Sequence, residues 1–179
     1  MHRRQTLPRL WMMTDERQGE YLWRGLATLP RGAGVIFRHY GLPAGERKAL
    51  FKKVRAVARR RNLVLLLAGS PSEAAASGAD GSHGRGPRGD SRQLRSAPAH
   101  NVAEIRRAER QRADLVFVSP VFATRSHPDA KALGPLRFAA LTRCTHLPVI
   151  ALGGMSPVRA KRLGGARAYG WAAIDAWSR

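Results

Sequence analysis

The sequence predicts an α/β fold, a compact (β/α)₈ TIM barrel with shortened helices and loops. Three observations carry the prediction. Eight short apolar runs follow one another along the chain, the number a closed barrel needs. Segments with apolar residues at helical spacing lie between them. Two of the later runs end in Gly, Ser, Thr and Pro, so the chain leaves a buried sheet and at once offers backbone N–H groups and hydroxyls, as α/β folds do at anion sites. The 179 residues, 44% of them hydrophobic, suffice to bury a core, and the expectation is a single domain over residues 1–179. The chain is short against the roughly 250 residues usual for this architecture, so trimming is expected, above all at residues 82–95 and after the last strand. A full outer ring of helices is not expected.

The elements follow in order. Leu10-Trp11-Met12-Met13 is the first strand, and Leu22, Leu26 and Leu29 stripe the helix behind it. The second strand spans 34–38. Leu50, Val54 and Val57 then mark a helix ending in Arg59-Arg60-Arg61, where cations suit the helix dipole. The third strand is 63–68. The fourth and fifth, 81–83 and 94–97, border a Gly- and Arg-rich stretch with the character of a mobile loop. Asn101 with Glu104 three residues on forms a capping box, and Val102, Ile105 and Ala108 stripe the helix it opens. The sixth and seventh strands are 115–118 and 149–152. Ser156-Pro157 opens and Gly164-Gly165 closes a short helix containing Val158 and Leu163. The eighth strand is 168–172, and no repeat larger than the βα unit is present.

A net charge of +20 and a pI near 11.8 would ordinarily suggest nucleic acid or an anionic membrane. Of the 32 basic residues 27 are arginine, spread over nearly every segment rather than gathered into a patch. Nucleic acid is therefore not expected as a partner. Cys144 is the one cysteine, so no intramolecular disulfide forms, and no Cys/His spacing suggests structural zinc. Met1-His2-Arg3-Arg4 has no apolar stretch before Pro8, and no run of about 18 apolar residues occurs. The expectation is a cytoplasmic protein with no membrane partner. Nothing in the sequence points to a particular oligomeric state.

The two Gly/Ser/Thr/Pro-rich segments are the most informative. One is Ser119-Pro120-Val121-Phe122-Ala123-Thr124-Arg125-Ser126-His127-Pro128, continuing to Gly134; the other is Pro148-Val149-Ile150-Ala151-Leu152-Gly153-Gly154-Met155. They are similar to G-P-x-F-x-T-x-x-K-P-x-A-x-x-L-G and P-V-x-A-I-G-G-I of the thiamine-phosphate synthase/TenI family. Further matches fall in the family's order: residues 10–15 for L-Y-L-V-T-D, 78–83 for G-A-D-G-V-H, and 97–100 for V-S-V-H. The resemblance covers about residues 10–177.

That resemblance implies a transferase coupling a hydroxymethylpyrimidine diphosphate to a thiazole phosphate in thiamine biosynthesis, with phosphorylated small molecules as partners. Gly153 and Gly154, after the seventh strand, let backbone amides approach a phosphate closely, where barrels usually bind one. Thr124 and Ser126 match two hydroxyl positions, and His127 replaces a lysine, leaving a titratable cation. Arg38, leaving its strand on the catalytic face, can clamp a diphosphate, or else pairs with a neighbouring acid. Arg38 and His127 are the expected catalytic residues; Thr124, Ser126, Gly153 and Gly154 are the expected substrate-binding ones. A carboxylate at position 154 is expected to abolish thiazole phosphate binding while leaving the barrel folded.

The other half of the family's site departs from its pattern. Mg²⁺ is implied by the resemblance, but its acidic ligands are absent: the Asn-Asp pair falls on Ala68-Gly69, and a second acid falls on Arg88, near Asp90. A lysine is Tyr40 and a glutamine Ile36. Arg85, Arg88 and Arg92 are the cations available to neutralise a diphosphate in the metal's place. His100 and His83 read as structural, Asp80 as a loop residue, and the family's phosphate-site serine falls on Ala173 or Asp175. Pro120 stands at the tautomerase branch's histidine and disfavours that activity. The alternative to an enzyme is a catalytically silent barrel binding a phosphorylated thiamine precursor as carrier or regulator.

Overall fold

The structure, a computed structural model, describes residues 6–86, 93–125 and 130–177. Eight parallel strands close into a barrel in chain order. They are β1 (Leu10–Met13), β2 (Gly34–Phe37), β3 (Val64–Ala68), β4 (Gly81–His83), β5 (Leu94–Ala99), β6 (Leu115–Val118), β7 (Val149–Ala151) and β8 (Gly170–Ala173). β1 pairs with both β2 and β8, which is the closure. Outside run α1 (Tyr21–Thr28), α2 (Ala44–Arg61), α3 (Pro71–Ser77), α4 (Val102–Arg110), α5 (Gly134–Arg143) and α6 (Pro157–Lys161). Short 3₁₀ turns follow β1 at Glu16–Gln18 and β8 at Asp175–Trp177.

All eight expected strands form, with shifted ends. Arg38 and Leu152 lie just beyond β2 and β7, β5 runs on to Ala99, and β8 starts later, at Gly170. Each strand stops where its parallel ladder stops. The trimming is uneven: α2 keeps 18 residues whereas α3 has 7 and α6 has 5. Among the described residues no α-helix joins β4 to β5 or follows β8.

The expected capping box at Asn101 is half formed. Asn101 accepts the Glu104 N–H at 3.0 Å, but the Glu104 carboxylate reaches one residue further back, to the N–H of His100 at 2.9 Å. Complete boxes form instead at Asp15 with Gln18 and at Ser70 with Glu73. α2 ends on Asn62 in the left-handed region at φ 54°, with its cationic last turn as expected.

Strand alternation divides the core in three. Trp11, Met13, Ile36, Leu66, Leu115, Phe117 and Ile150 fill the barrel interior. Met12, Val35, Phe37, Leu65 and Leu67 pack outward against α1 and α2 through Leu22, Leu26, Phe51 and Val54. Val116, Val118, Val149 and Ala151 do the same beneath α4 and α5, against Ile105 and Phe138. Trp11 meets Phe117 edge-on at 5.4 Å and lies over Gly34, where a Cβ would come within 2.1 Å of its ring. Glycine at the head of β2 is thus the space that the interior tryptophan occupies. No helix among the described residues is long and apolar enough to cross a membrane.

His83 is buried at the end of β4, its Nδ1 2.8 Å from Ser96 Oγ and its ring edge-on to Phe117. Burial, and then the charges of Arg38 and Arg95, push its pKa down to about 3. The unfolded chain protonates this side chain below about pH 6.5 whereas the fold resists doing so. Its neutral form therefore contributes stability that is present above that pH and is lost as pH falls toward 3. In urea titrations between about pH 6 and 4, the wild type is expected to lose stability with falling pH more steeply than a His83→Leu variant, by up to the one-proton linkage slope of roughly 1 kcal/mol per pH unit. Equal slopes would show that His83 protonates freely in the folded state.

Candidate functional site

Two loops at the C-terminal mouth are zipped together. After β6, the N–H groups of Val121 and Phe122 donate to Leu152 O at 2.9 Å and Gly153 O at 3.1 Å, both in the loop after β7. Gly153 and Gly154 have φ of 93° and 60°, in the region glycine favours. The contact leaves no room for side chains: a Cβ on Gly153 would lie 2.7 Å from Pro120 Cα, and one on Gly154 would lie 2.4 Å from Ala123 O. The Gly154 carbonyl accepts Arg159 Nη1 at 2.6 Å, and that guanidinium lies over the Phe122 ring. Both carbonyls of the glycine pair are thus consumed within the loops. Their amide N–H groups, which donate to no atom among the described residues, are what the pair offers a ligand.

These glycines line a cavity of about 230 Å³ together with Arg38, His100, Ser119, Thr124 and Asp175. Pro120, Leu152, Met155 and Ile174 supply apolar wall. The structure therefore brings Arg38, Thr124, Gly153 and Gly154 to one place. Ser126 and His127 lie outside the described residues, as do Arg88, Asp90 and Arg92.

Arg38 enters from just beyond β2. Its backbone N–H donates to Thr14 Oγ1 at 3.0 Å, its Nε to Thr14 O at 2.9 Å and its Nη2 to Asp15 Oδ2 at 2.5 Å. The alternative of pairing with a neighbouring acid is thus realised, while the residue still lines the cavity. Arg17 binds the same carboxylate at 2.6 Å. Burial alone would raise the Asp15 pKa, but hydrogen bonds from Arg17 and the charges of Arg38 and Arg17 outweigh it and hold it below the usual carboxylate value. Asp15 is accordingly a fixed anion that aims two arginines.

Among the described residues His100 is the histidine that lines this cavity, where the sequence reading expected a structural one. Its Nδ1 sits 2.7 Å from Ser119 O; a carbonyl only accepts, so Nδ1 carries a proton, and in the neutral tautomer Nε2 is the acceptor. His83 is structural, as expected. Asp80 likewise serves the fold, accepting the Leu65 N–H at 2.8 Å.

Arg47 is a residue that sequence reasoning missed. From the first turn of α2 it donates to Arg38 O at 2.9 Å and Ala68 O at 2.8 Å, bridging the ends of β2 and β3, and it lies over the Tyr40 ring. A cation in the first turn of a helix opposes the dipole, and that was the available signal.

The carboxylates at this mouth do not fit a magnesium site. Asp15 is held by two arginines, Glu16 by the Gly41 N–H, and Glu73 by Ser70. Ala68 and Gly69 bring no ligating side chain, Arg85 pairs with Glu104, and no group of three metal-ligating side chains occurs among the described residues.

A family model described as thiamine monophosphate synthase matches residues 14–177. The chain belongs to the thiamine monophosphate synthase family. A protein of Aquifex aeolicus provisionally named thiamine-phosphate synthase 2 is 31% identical over 94% of this chain and 97% of its own length. The thiamine-phosphate synthase of Geobacillus kaustophilus is also 31% identical, over 78% of this chain and 69% of that one. The structure of thiamine phosphate pyrophosphorylase from Pyrococcus furiosus superposes with a TM-score of 0.81 at 22% identity, covering 98% of this chain and 90% of that one. That last likeness supports the barrel fold.

The loop geometry corrects the expectation for position 154. Any Cβ there meets the Ala123 carbonyl, so a carboxylate would shift the loop as well as repel an anion. Gly154→Ala is expected to lower both thermal stability and affinity for a thiazole phosphate. Thr124→Val should weaken that affinity about five- to tenfold, the effect of one lost hydrogen bond, and by more than it lowers the melting temperature. Calorimetric titration beside a thermal melt separates the two, and unchanged affinity in Thr124→Val would remove Thr124 from the site.

Proposed function

We propose that this barrel, as the chain's one domain, couples a hydroxymethylpyrimidine diphosphate to a thiazole phosphate, giving thiamine phosphate and pyrophosphate. The observation that carries the reading is the convergence of Gly153, Gly154, Thr124 and Arg38 on one cavity in a barrel of this family. The bond between the pyrimidine's methylene carbon and the diphosphate oxygen breaks with its electron pair leaving on oxygen. The lone pair of the thiazole nitrogen then forms the new C–N bond, and no proton has to move in that step. The glycine amides and the Thr124 hydroxyl hold the thiazole phosphate, with Ser126 as a second hydroxyl. Arg38, fixed by Asp15 and Thr14, faces the charge that grows on the leaving diphosphate, and His127 is the second cation. Leu152, Met155 and Ile174 shelter the cationic carbon from water. Both substrates are phosphorylated small molecules, and the setting is the cytoplasm.

No step is assigned to magnesium, because no group of three metal-ligating side chains occurs among the described residues and Asp175 is the one carboxylate among those lining the cavity. A second reading, a silent barrel that retains a phosphorylated thiamine precursor, is favoured by one observation: the Arg38 guanidinium is already tied to Asp15 at 2.5 Å. The two separate in one experiment, in which purified protein is incubated with both precursors, with magnesium or with EDTA. Thiamine phosphate is expected in both, at rates agreeing within about threefold, since arginines supply the charge. Strict magnesium dependence would overturn the metal-free assignment. Absence of product alongside saturable thiazole phosphate binding would establish the silent barrel.

A further inference from the structure

Two residues of the cavity wall, Arg38 and Asp175, belong to a line of alternating charges that also includes Asp15, Arg17 and Arg125. Arg38 and Arg17 share Asp15, and Arg17, stabilised as a cation first by its hydrogen bond to Asp15, also feels Asp175. At the far end Arg125 leaves the loop after β6 and spans to Asp175, after β8, through an Nη2 to Oδ2 contact of 2.8 Å. The two residues are 50 apart in sequence and meet only because the barrel closes. Asp175 lines the cavity beside Gly153 and Gly154. A carboxylate therefore stands in the wall of a cavity where the glycine amides, Thr124 and Arg38 offer donors suited to an anion, and it is tied to an arginine of the loop after β6.

The contact is built to be exchanged. One guanidinium nitrogen meets one carboxylate oxygen, and the side chains are 79% and 47% exposed. An ion pair that open to water contributes little to stability. A phosphate, with three oxygens and up to two charges, offers the same guanidinium a forked and stronger contact.

We propose that Asp175 is a specificity-determining residue of this cavity: its carboxylate stands in for the ligand's phosphate, holding Arg125 until a thiazole phosphate takes Arg125 over. This rests on the reading of the cavity as the thiazole phosphate site. Asp175 then tunes the site by competing with every phosphorylated ligand and with no neutral one. An unphosphorylated thiazole alcohol has nothing to gain from Arg125 and nothing to lose to Asp175.

Titration calorimetry of wild type, Asp175→Asn and Arg125→Gln with thiazole phosphate, thiazole alcohol and inorganic phosphate tests this, with thermal melts to establish folding. Asp175→Asn is expected to tighten thiazole phosphate about tenfold at low salt, because a like charge leaves the site. Affinity for the alcohol should not change. Arg125→Gln should weaken the phosphate about tenfold, having removed a charge-assisted contact. Unchanged or weaker phosphate binding by a folded Asp175→Asn variant overturns the inference. Should neither thiazole compound bind any variant, the substrate reading falls, and inorganic phosphate alone decides. Tighter phosphate binding by Asp175→Asn then supports the competition with Arg125, and equal binding overturns it.

Discussion

Closure of the sheet is the constraint on which every other feature depends. β1 must pair with β8 as well as β2, with strands of only three to six residues. Strands this short leave little interior, and Trp11 fills much of it by taking the volume that Gly34 leaves empty. Once the ring closes, the loops after β6, β7 and β8 are brought side by side, and so are those after β1 and β2. The candidate site is a by-product of that geometry: Arg38 reaches it from one side, and Gly153 and Gly154 from the other.

Among the described residues, Asp15, Glu16 and Glu73 at this mouth are held by arginines, by a backbone amide and by Ser70. Asp15 orients Arg38 and Arg17, and Arg47 bridges the ends of β2 and β3, where Ala68 and Gly69 carry no ligating side chain. Under the metal-free reading, guanidinium groups that the fold positions take the part that a recruited divalent ion would otherwise play. A guanidinium spreads one charge over several N–H donors, so it recognises phosphate geometry well but concentrates less charge than a divalent ion. A site built this way suits binding at least as well as ionisation of a diphosphate ester. That is why a silent barrel stands as the second reading.

Much of the fold was legible because its signals are local. Apolar runs such as Leu115–Val118 and helix stripes such as Val102, Ile105 and Ala108 declare themselves within a few residues. The glycine pair after β7 was legible for the same reason, and so was Arg38 just beyond β2. What sequence could not show depends on register and closure. The Arg38 pair with Asp15 requires β1 beside β2, and the Arg125 pair with Asp175 requires the full ring. The Ala123 carbonyl beneath Gly154 requires two loops to meet at a particular depth. Even the half-formed box at Asn101 follows from three-dimensional context, since the Glu104 carboxylate finds the His100 N–H instead.

The position of His100 shows how far geometry constrains chemistry here. Its Nδ1 proton is committed to the Ser119 carbonyl, so in the neutral tautomer the nitrogen left over, Nε2, accepts rather than donates. An acceptor in the same cavity as two glycine amides gives that cavity both polarities. The donors suit a phosphate, whereas the acceptor suits a hydroxyl or ring N–H. The coupling of a thiazole nitrogen to a carbocation needs no base, so His100 is not required to move a proton for the reaction to balance. Its role under that chemistry is to orient. Under the proposed coupling, phosphate recognition thus falls to the arginines and glycine amides, and no proton transfer is asked of His100.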